Sequence, residues 1–588
     1  MTGLTIDKWA VAKALDEIAR YLELSEANRF KTLAFERASQ AIENITVDLE
    51  QLVKSGELYK TPGIGKAIGP IVTELVASGR SAYLEELREQ YPPGIFDLMR
   101  VPKLGLKKIG VLYSQLGVSS LDELEAASRA GRVAALKGFG AKTQETILEG
   151  IAWARDHESH FLLPVGLEVG ESLAERIASV AAIDGVEIAG SVRRRLEVIS
   201  NVNLVISTMK PARATAAIAT LVEELTAVDD ATFRGRARGE IDVLFHLTHP
   251  DDFGATMLRA TGSVEFVQAF EKRISEDAYE LRANGLHHRG RHLTIANEHD
   301  LFEKVGIPFL EPERRENGAE LARKKRVSLV EPADLRGTFH VHTTYSDGRH
   351  SVLEMLQAAR DFGFEYVGLS DHSQNASYAG GLTPDRLHEQ HAEIDRHREE
   401  VAPMRVFRGT EADILNDGTI DYGDKILPMF DFVIASVHSR FNMPKDEMTE
   451  RILRALDDPH VTFLGHMTGR KLLSRQGYTF DYDRVFERAA ERGVMIEING
   501  NPNRLDIDWR LIRRALDRGV RFSINPDAHS TREFAAVLTG TWVARKGGLP
   551  AREIFNTFPL EAVEEHFAQR KAALPGHSNG AAKSLPRK

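Results

Sequence analysis

His340 and His342 stand two residues apart, and Asp347 follows in the next loop. His372, Glu411, His438, His466, Asp527 and His529 come later, each after a short apolar run. Imidazole and carboxylate together are the ligands of borderline divalent ions. Six histidines with three carboxylates suit Zn²⁺, Mn²⁺ or Fe²⁺ better than Mg²⁺ or Ca²⁺, which prefer all-oxygen shells. Nine candidates exceed what one four-coordinate ion needs, so the expectation is a cluster of two or three ions. The chain has no cysteine, which excludes disulfides, thiolate zinc sites, cysteine-ligated Fe–S clusters and cysteine nucleophiles. Any metal must be held by nitrogen and oxygen.

The elements that must position these ligands are legible too. From Gly337 to about Phe558, short apolar segments such as Tyr366–Leu369, Phe432–Ala435, Met495–Ile498 and Phe522–Ile524 alternate with helical segments. That alternation predicts parallel βα units, open or closed into a barrel. Nearly every candidate ligand falls at the C-terminal end of a predicted strand, where βα barrels build their sites. His340 and His342, at i and i+2 of a strand, point to the same side. One histidine after a strand is ordinarily a hydrogen-bonded core or surface residue; it is the recurrence that favours a metal. His388, His391 and His397, by contrast, lie in a charged helix and read as a solvated face.

The motifs Gly337 to His342, Ser346-Asp347-Gly348, Asp371-His372-Ser373, His438-Ser439, Gly465-His466 and Asp527-Ala528-His529 resemble the PHP (polymerase and histidinol phosphatase) domain. The resemblance implies a distorted βα barrel holding three ions. By motif position it assigns His340, His342, Glu411 and Asp527 to the first ion. Glu411, His438 and His466 take the second, with Glu411 bridging, and Asp347, His372 and His529 the third. It also implies phosphoester hydrolysis, because paired divalent ions acidify a water and align a phosphate. Arg470 and Arg504 are candidate phosphate clamps.

The first ~155 residues read as helices, with apolar spacing over Val11–Leu24 and Phe30–Ile45. Three glycine turns recur, around Gly63 and Gly65, around Gly105, and around Gly138 and Gly140, each followed by lysine: Lys66, Lys107 with Lys108, and Lys142. Pro62 to Lys66 resembles a helix-hairpin-helix, in which backbone amides at a helix N-terminus meet a phosphate without reading sequence. The second copy departs from the pattern, with Lys103 where a glycine is usual.

Between these regions, Val186–Ala189, Asn203–Ser207 and Ile241–Leu247 are predicted strands. Gly190-Ser191-Val192-Arg193-Arg194, with Thr261-Gly262-Ser263 and the segment Ile307 to Glu316, is similar to the palm and thumb of bacterial family X DNA polymerases. The resemblance then spans nearly the whole chain. It assigns Gly190, Ser191, Arg193, Arg194, Thr261, Gly262 and Ser263 to an incoming nucleotide. The family's Asp-x-Asp pair is replaced by Asn201-Val202-Asn203, leaving Asp242 as the one metal-binding carboxylate, and its Tyr-Phe platform by Arg259-Ala260. Each lost charge removes about 4–8 kcal/mol of gross attraction for a divalent ion at an effective dielectric of about 20. A productive Mg²⁺ or Mn²⁺ pair at the palm is therefore not expected. Ile71 stands at the position of the family's Schiff-base lysine, so little lyase activity is expected.

The expected architecture is multidomain α and α/β. It comprises a helical DNA-binding domain (1–90), a helix-hairpin-helix fingers-like domain (91–160), a nucleotidyltransferase-like palm (161–255) and a thumb (256–323). A basic linker (324–336), the PHP barrel (337–570) and a disordered tail (571–588) complete it. A net charge of −10 over 588 residues argues against coating nucleic acid by bulk charge, but not against local phosphate binding. With no secretion signal or apolar run of membrane length, the expectation is a cytoplasmic protein with no membrane partner, by default a monomer. The leading reading is a DNA-repair 3′–5′ exonuclease on gapped, nicked or damaged ends with an impaired polymerase site. The alternatives are a working gap-filling polymerase with proofreading, which adds dNTP as a partner, and a non-catalytic DNA-end scaffold. A small-molecule phosphatase is disfavoured, since it has no use for DNA-binding turns.

Overall fold

In a computed structural model of the chain, the residues described are 8–25, 29–45, 49–61, 63–92, 94–102, 104–156, 159–237, 241–322 and 327–574. Pro62, Lys103, Glu240, the Lys324-Lys325-Arg326 run and residues 575–588 lie outside them. The chain divides into two compact units, residues 1–158 and 159–588.

The first unit is helical. Lys8–Leu24 and Arg29–Asn44 pair along Leu15, Ile18, Phe35 and Ile42, all buried. The helices Gly69–Ser78, Leu106–Leu116 and Gly140–Asp156 each follow one of the glycine turns. Gly63, Gly138 and Gly140 take φ of 90°, 90° and 67°, a region that favours glycine. Each turn buries an apolar residue, Ile64, Leu106 or Phe139, while Lys66, Lys107 and Lys142 stay exposed.

The second unit opens with a five-stranded sheet in the order Gly185–Ala189, Asn201–Ser207, Ile241–Thr248, Thr232–Ala237, Glu223–Ala227. Asn201–Ser207 runs parallel to Ile241–Thr248 and antiparallel to Gly185–Ala189. The inward residues Val202, Leu204, Ile206, Val243 and Phe245 are buried, as a sheet covered by helices requires. A second core around Phe266, Phe270, Leu301 and Phe302 follows.

The third region is a nearly closed barrel of seven parallel strands in chain order: Gly337–Thr338, Tyr366–Leu369, Arg405–Asp413, Phe432–Ser436, Val461–Leu464, Met495–Asn499 and Phe522–Asn525. First and last meet just beyond their ends, where His342 N donates to Ala528 O (2.8 Å) and Ala528 N to His340 O (3.1 Å). Phe339, Phe407, Phe432, Phe463, Phe555 and Phe567 fill the floor. Each such ring contributes about 1.5–3 kcal/mol by burial. Gly368 and Gly409 make room for this packing; a Cβ on either would lie 2.5 or 2.2 Å from the Phe432 ring.

The five-stranded sheet, the Phe266 core and the barrel pack as one unit. Glu197 accepts from Trp509 Nε1 (3.1 Å) and Arg510 Nη1 (2.6 Å). Lys546 Nζ donates to the carbonyls of Arg194 (3.0 Å) and Glu313 (3.1 Å). Arg195 lies 4.2 Å from the Trp542 ring centroid. Two expectations need correction. The segment read as a disordered tail from 571 begins inside the helix Leu560–Ala572. His391 is buried against Phe430 rather than solvated, because Leu387, His391 and Ile394 form the inward stripe of Pro384–His397; His388 is exposed as expected. Among the described residues, no helix is long and apolar enough to cross a membrane.

Candidate metal centre

The barrel brings the nine side chains singled out above into one cluster at the C-terminal ends of its strands. Glu411, at the end of the longest strand, divides its two oxygens. Oε1 faces His466 Nε2 (2.9 Å) and His438 Nε2 (3.1 Å). Oε2 faces His372 Nδ1 (3.0 Å), His340 Nε2 (3.3 Å) and His342 Nε2 (3.6 Å). Asp527 Oδ1 lies 3.3 Å from His340 Nε2 and 3.4 Å from His342 Nε2. Asp347 Oδ1 lies 3.3 Å from His529 Nε2 and 3.6 Å from His372 Nε2. Four overlapping groups of donor atoms each fall within 4.8 Å: His342, Asp347, His372 with His529; His340, His466 with Asp527; His340, His342 with Glu411; and His372, Glu411 with His438.

His340 and His342 meet for a different reason than strand alternation. The strand ends at Thr338, and His340 has φ of 63°. The kink, pinned by Ala528, aims both rings inward. Asp527 has φ of 54°. Such left-handed non-glycine residues cost of order 1–3 kcal/mol each and persist where their surroundings hold them.

Several donors have no hydrogen-bond partner although buried, among them His340 Nε2, both nitrogens of His342 and Glu411 Oε1. Buried polar atoms are rarely left so, and these converge on the same volume. The charges are set for a cation. Burial works against ionised Glu411 and Asp527, yet surrounding imidazoles hold both well below the usual carboxylate range. His342 is pushed down to about 3 by burial and by His529 and His372, so its ring is neutral with one nitrogen lone pair free. A six-imidazole, three-carboxylate donor set with orphaned buried atoms fits divalent metal ions.

A second ring of residues, unforeseen from the sequence, fixes the imidazoles. Glu497, fully buried, accepts from His340 Nδ1 (2.5 Å) and His466 N (2.7 Å). Asp413 accepts from His438 Nδ1 (2.7 Å). Each carboxylate thereby presents the opposite nitrogen to the cluster. His529 Nδ1 bonds to Asp527 O (3.0 Å) to the same effect. Asp371 stands behind the cluster and accepts from Thr343 N (2.8 Å) and Thr343 Oγ1 (2.7 Å), bracing the loop that carries Asp347. The signal for Glu497 was present: a carboxylate between Ile496 and Ile498 in a buried strand must be paired.

Of the two proposed clamps, Arg504 reaches the cluster, its Nε 3.4 Å from Asp527 Oδ2. Arg470 does not; it donates to Arg504 O (3.0 Å) and pairs with Asp508 (2.7 Å), stapling the loop that holds Arg504. Tyr378, 68 % exposed, stands over the cluster with its ring 6.1 Å from those of His372 and His438.

The palm residues are also placed. Asn201 lies opposite Asp242 in the parallel ladder. Asn203 Nδ2 donates to Asn201 Oδ1 (2.6 Å), and Asn203 Oδ1 lies 2.9 Å from His246 Nε2. Asp242 is 3.9 Å from Arg234. Gly190, φ 65°, packs on Asn203, where a Cβ would meet Nδ2 at 2.5 Å. Arg193 pairs with Glu298 (2.7 Å) and donates to Thr261 Oγ1 (2.9 Å). Arg194 pairs with Glu316 (3.0 Å) and donates to Thr261 O (2.6 Å). Ser263 caps the following helix at Phe266 N (3.0 Å), just after Gly262.

Four stretches match known families: a helix-hairpin-helix domain over residues 7–81, a SAM-like helix-hairpin-helix tandem over 95–152, the DNA polymerase beta thumb over 256–316 and the PHP domain over 338–501. The chain is 33% identical over 561 residues to the DNA polymerase/3′-5′ exonuclease PolX of Bacillus subtilis, covering 94% of this chain and 98% of that protein. A probable phosphatase of Clostridium acetobutylicum is 28% identical over 201 residues, 32% of this chain and 77% of its own length. Another from Photobacterium profundum is 33% identical over 206 residues, 32% of this chain and 76% of its own.

Proposed function

Since the chain belongs to the PolX family of DNA polymerase/3′-5′ exonucleases, we propose that it is a DNA-repair enzyme whose working site is the barrel and whose palm no longer polymerises. The observation that carries this reading is the contrast between two sites. In the barrel nine ligand side chains converge with orphaned donor atoms. In the palm the two asparagines spend their oxygens on each other and on His246.

In the barrel, His340, His342, Glu411 and Asp527 would hold one ion, Glu411, His438 and His466 a second, and Asp347, His372 and His529 a third. Mn²⁺ or Zn²⁺ suits this donor set best, with Fe²⁺ next. Bound there, such ions supply an acidified water and a polarised phosphate. The protein's own part is positional. Glu411 spans two ligand groups through its separate oxygens. Glu497 and Asp413 lock the tautomers of His340 and His438. Arg504, 16 % exposed, offers its guanidinium to the scissile phosphate on the cluster's open side. The exposed Tyr378 gives the terminal base a face to stack on. The glycine turns with Lys66, Lys107 and Lys142 grip the DNA backbone near a gap or nick.

At the palm, neutral His246 and the amide pair replace the charge a Mg²⁺ pair needs. Burial holds the His246 pKa down, and Arg259 adds to the effect. Arg193 and Arg194 already have carboxylate partners, so a triphosphate would have to displace Glu298 and Glu316. The test is product analysis on a uniformly labelled oligonucleotide. Nucleoside 5′-monophosphates should appear progressively from the 3′ end, stop on chelation and return with Mn²⁺. Release that survives chelation, or that starts internally, would overturn the assignment.

A further inference from the structure

At the end of the barrel opposite the histidine cluster lies a cavity of about 530 Å³. It is bounded by the residues that lead into the strands Val461–Leu464, Met495–Asn499 and Phe522–Asn525, and by the last helix, Leu560–Ala572. One wall is apolar, built from Ala489, Val494, Met495 and Phe555. Arg521, His566 and Arg570 line it as well.

The guanidinium of Arg570 is not paired with any carboxylate of this lining. Arg570 gives its side-chain hydrogen bonds to backbone carbonyls, those of Gly493 (3.1 Å), Arg492 (3.4 Å), Pro459 (3.4 Å) and Val461. Burial alone lowers its pKa, with no carboxylate acting on it. Its Nε is buried without a partner, and so is Nε2 of His566. The His566 imidazole is pushed down to about 4 by burial and by the guanidiniums of Arg570 and Arg521. The carboxylates that line the cavity are already engaged. Asp457 pairs with Arg488 (2.6 Å) and with Arg492 (2.8 Å), itself on the lining, Glu491 pairs with Arg488 (3.2 Å), and Asp458 accepts from His460 N (2.9 Å). A buried charge without a counter-ion is costly, and so are unsatisfied polar atoms. An anion from outside answers both, and the volume lies within the range of small-molecule sites.

We propose that this cavity binds a small organic anion, its phosphate or carboxylate head held by Arg521 and Arg570 and its flat apolar body laid against Met495 and Phe555. With the Nη atoms of Arg570 given to carbonyls, its charge and Nε act beside the guanidinium of Arg521, and both attract either kind of head, so the probes must separate them. Full-length protein freed of metal with EDTA is titrated calorimetrically with dAMP, with 2-naphthoate and with inorganic phosphate. Chelation leaves phosphate no ion to meet at the other end of the barrel.

The expected result is binding of dAMP or 2-naphthoate with Kd below about 1 mM, and at least about tenfold tighter than inorganic phosphate. Preference for dAMP identifies a phosphate head and preference for 2-naphthoate a carboxylate. Arg521→Gln should weaken binding at least about tenfold. Ala490 is also on the lining, beside Ala489; Ala490→Phe, which leaves every charge in place and fills the apolar side, should abolish it. Both variants should keep the wild-type melting curve and nuclease activity; should Arg521→Gln melt early, Ala490→Phe alone decides. No organic anion binding below about 1 mM, or binding that Ala490→Phe leaves intact, would overturn the proposal.

Discussion

Glu497→Gln isolates the contribution of the residues behind the metal ligands. Four donors point at this fully buried carboxylate: His340 Nδ1 (2.5 Å) and Asn525 Nδ2 (3.0 Å) at Oε1, and His466 N (2.7 Å) and Asn499 Nδ2 (3.2 Å) at Oε2. Burial opposes its ionisation, but His340 and His466 hold its pKa below the ordinary value. Glutamine has the same shape and only one oxygen. Whichever way the amide turns, its NH₂ faces two donors. If the oxygen stays toward His340, the His466 side loses its acceptor. A hydrogen bond to a charged group contributes about 1.5–3 kcal/mol, and loss of such an outer partner typically weakens metal binding 10–100-fold. The expected result is a Mn²⁺ activation curve displaced about 10–100-fold to higher concentration, or about 1.4–2.8 kcal/mol. Saturating Mn²⁺ should restore kcat to within a small factor. The assay is 3′ shortening of a 5′-labelled oligonucleotide across a Mn²⁺ series, with circular dichroism as the folding control. An unmoved activation curve in a folded variant would refute the positioning argument.

Arg504→Gln should lower kcat/KM about 10–100-fold by removing one charged contact to phosphate, measured by initial rates, while metal content stays at the wild-type level. His391→Phe should flatten the acid limb of stability. His391 is buried and its pKa is pushed from 6.5 down to about 4, so the unfolded chain takes up a proton first. Its contribution is complete above pH 6.5 and is lost as pH falls toward 4, at up to about 1.4 kcal/mol per pH unit. Urea unfolding at several pH values reads this slope, which should be shallower in the variant. Lys546→Met should cost about 1–3 kcal/mol in denaturant unfolding, because it leaves the carbonyls of Arg194 and Glu313 without this donor and Glu316 with Arg194 as its remaining partner.

The convergence of His340, His342, Asp347, His372, Glu411, His438, His466, Asp527 and His529 was legible because each follows an apolar run, and strand ends of a βα barrel share one face. What brings the His340 and His342 rings together was not, because a left-handed residue at 340 has no signature in side-chain type. Asp413 stands two residues after Glu411 on the same strand, so residue type and strand position do not separate the carboxylate that faces the cluster from the one behind it, and Glu497 lies inside its strand. His391 was misjudged because the composition of Pro384–His397 is charged throughout. Its buried stripe shows only in the i, i+4, i+7 spacing of Leu387, His391 and Ile394. Arg470 was paired with Arg504 by type alone; only the backbone path of the loop separates a staple from a clamp. The docking of palm on barrel through Glu197, Trp509 and Lys546 joins residues more than 300 positions apart, beyond any local pattern.

The most direct test of the whole account is one gel. A 5′-labelled primer in a gapped template is incubated with Mn²⁺ or Mg²⁺, with and without dNTPs, using wild-type protein and His340→Ala. The account requires shortening by the wild type, no shortening by the variant, and no extension by either. Extension by His340→Ala when dNTPs are present would contradict it, because the Asn201–Asn203 palm would then be holding its metal ions after all.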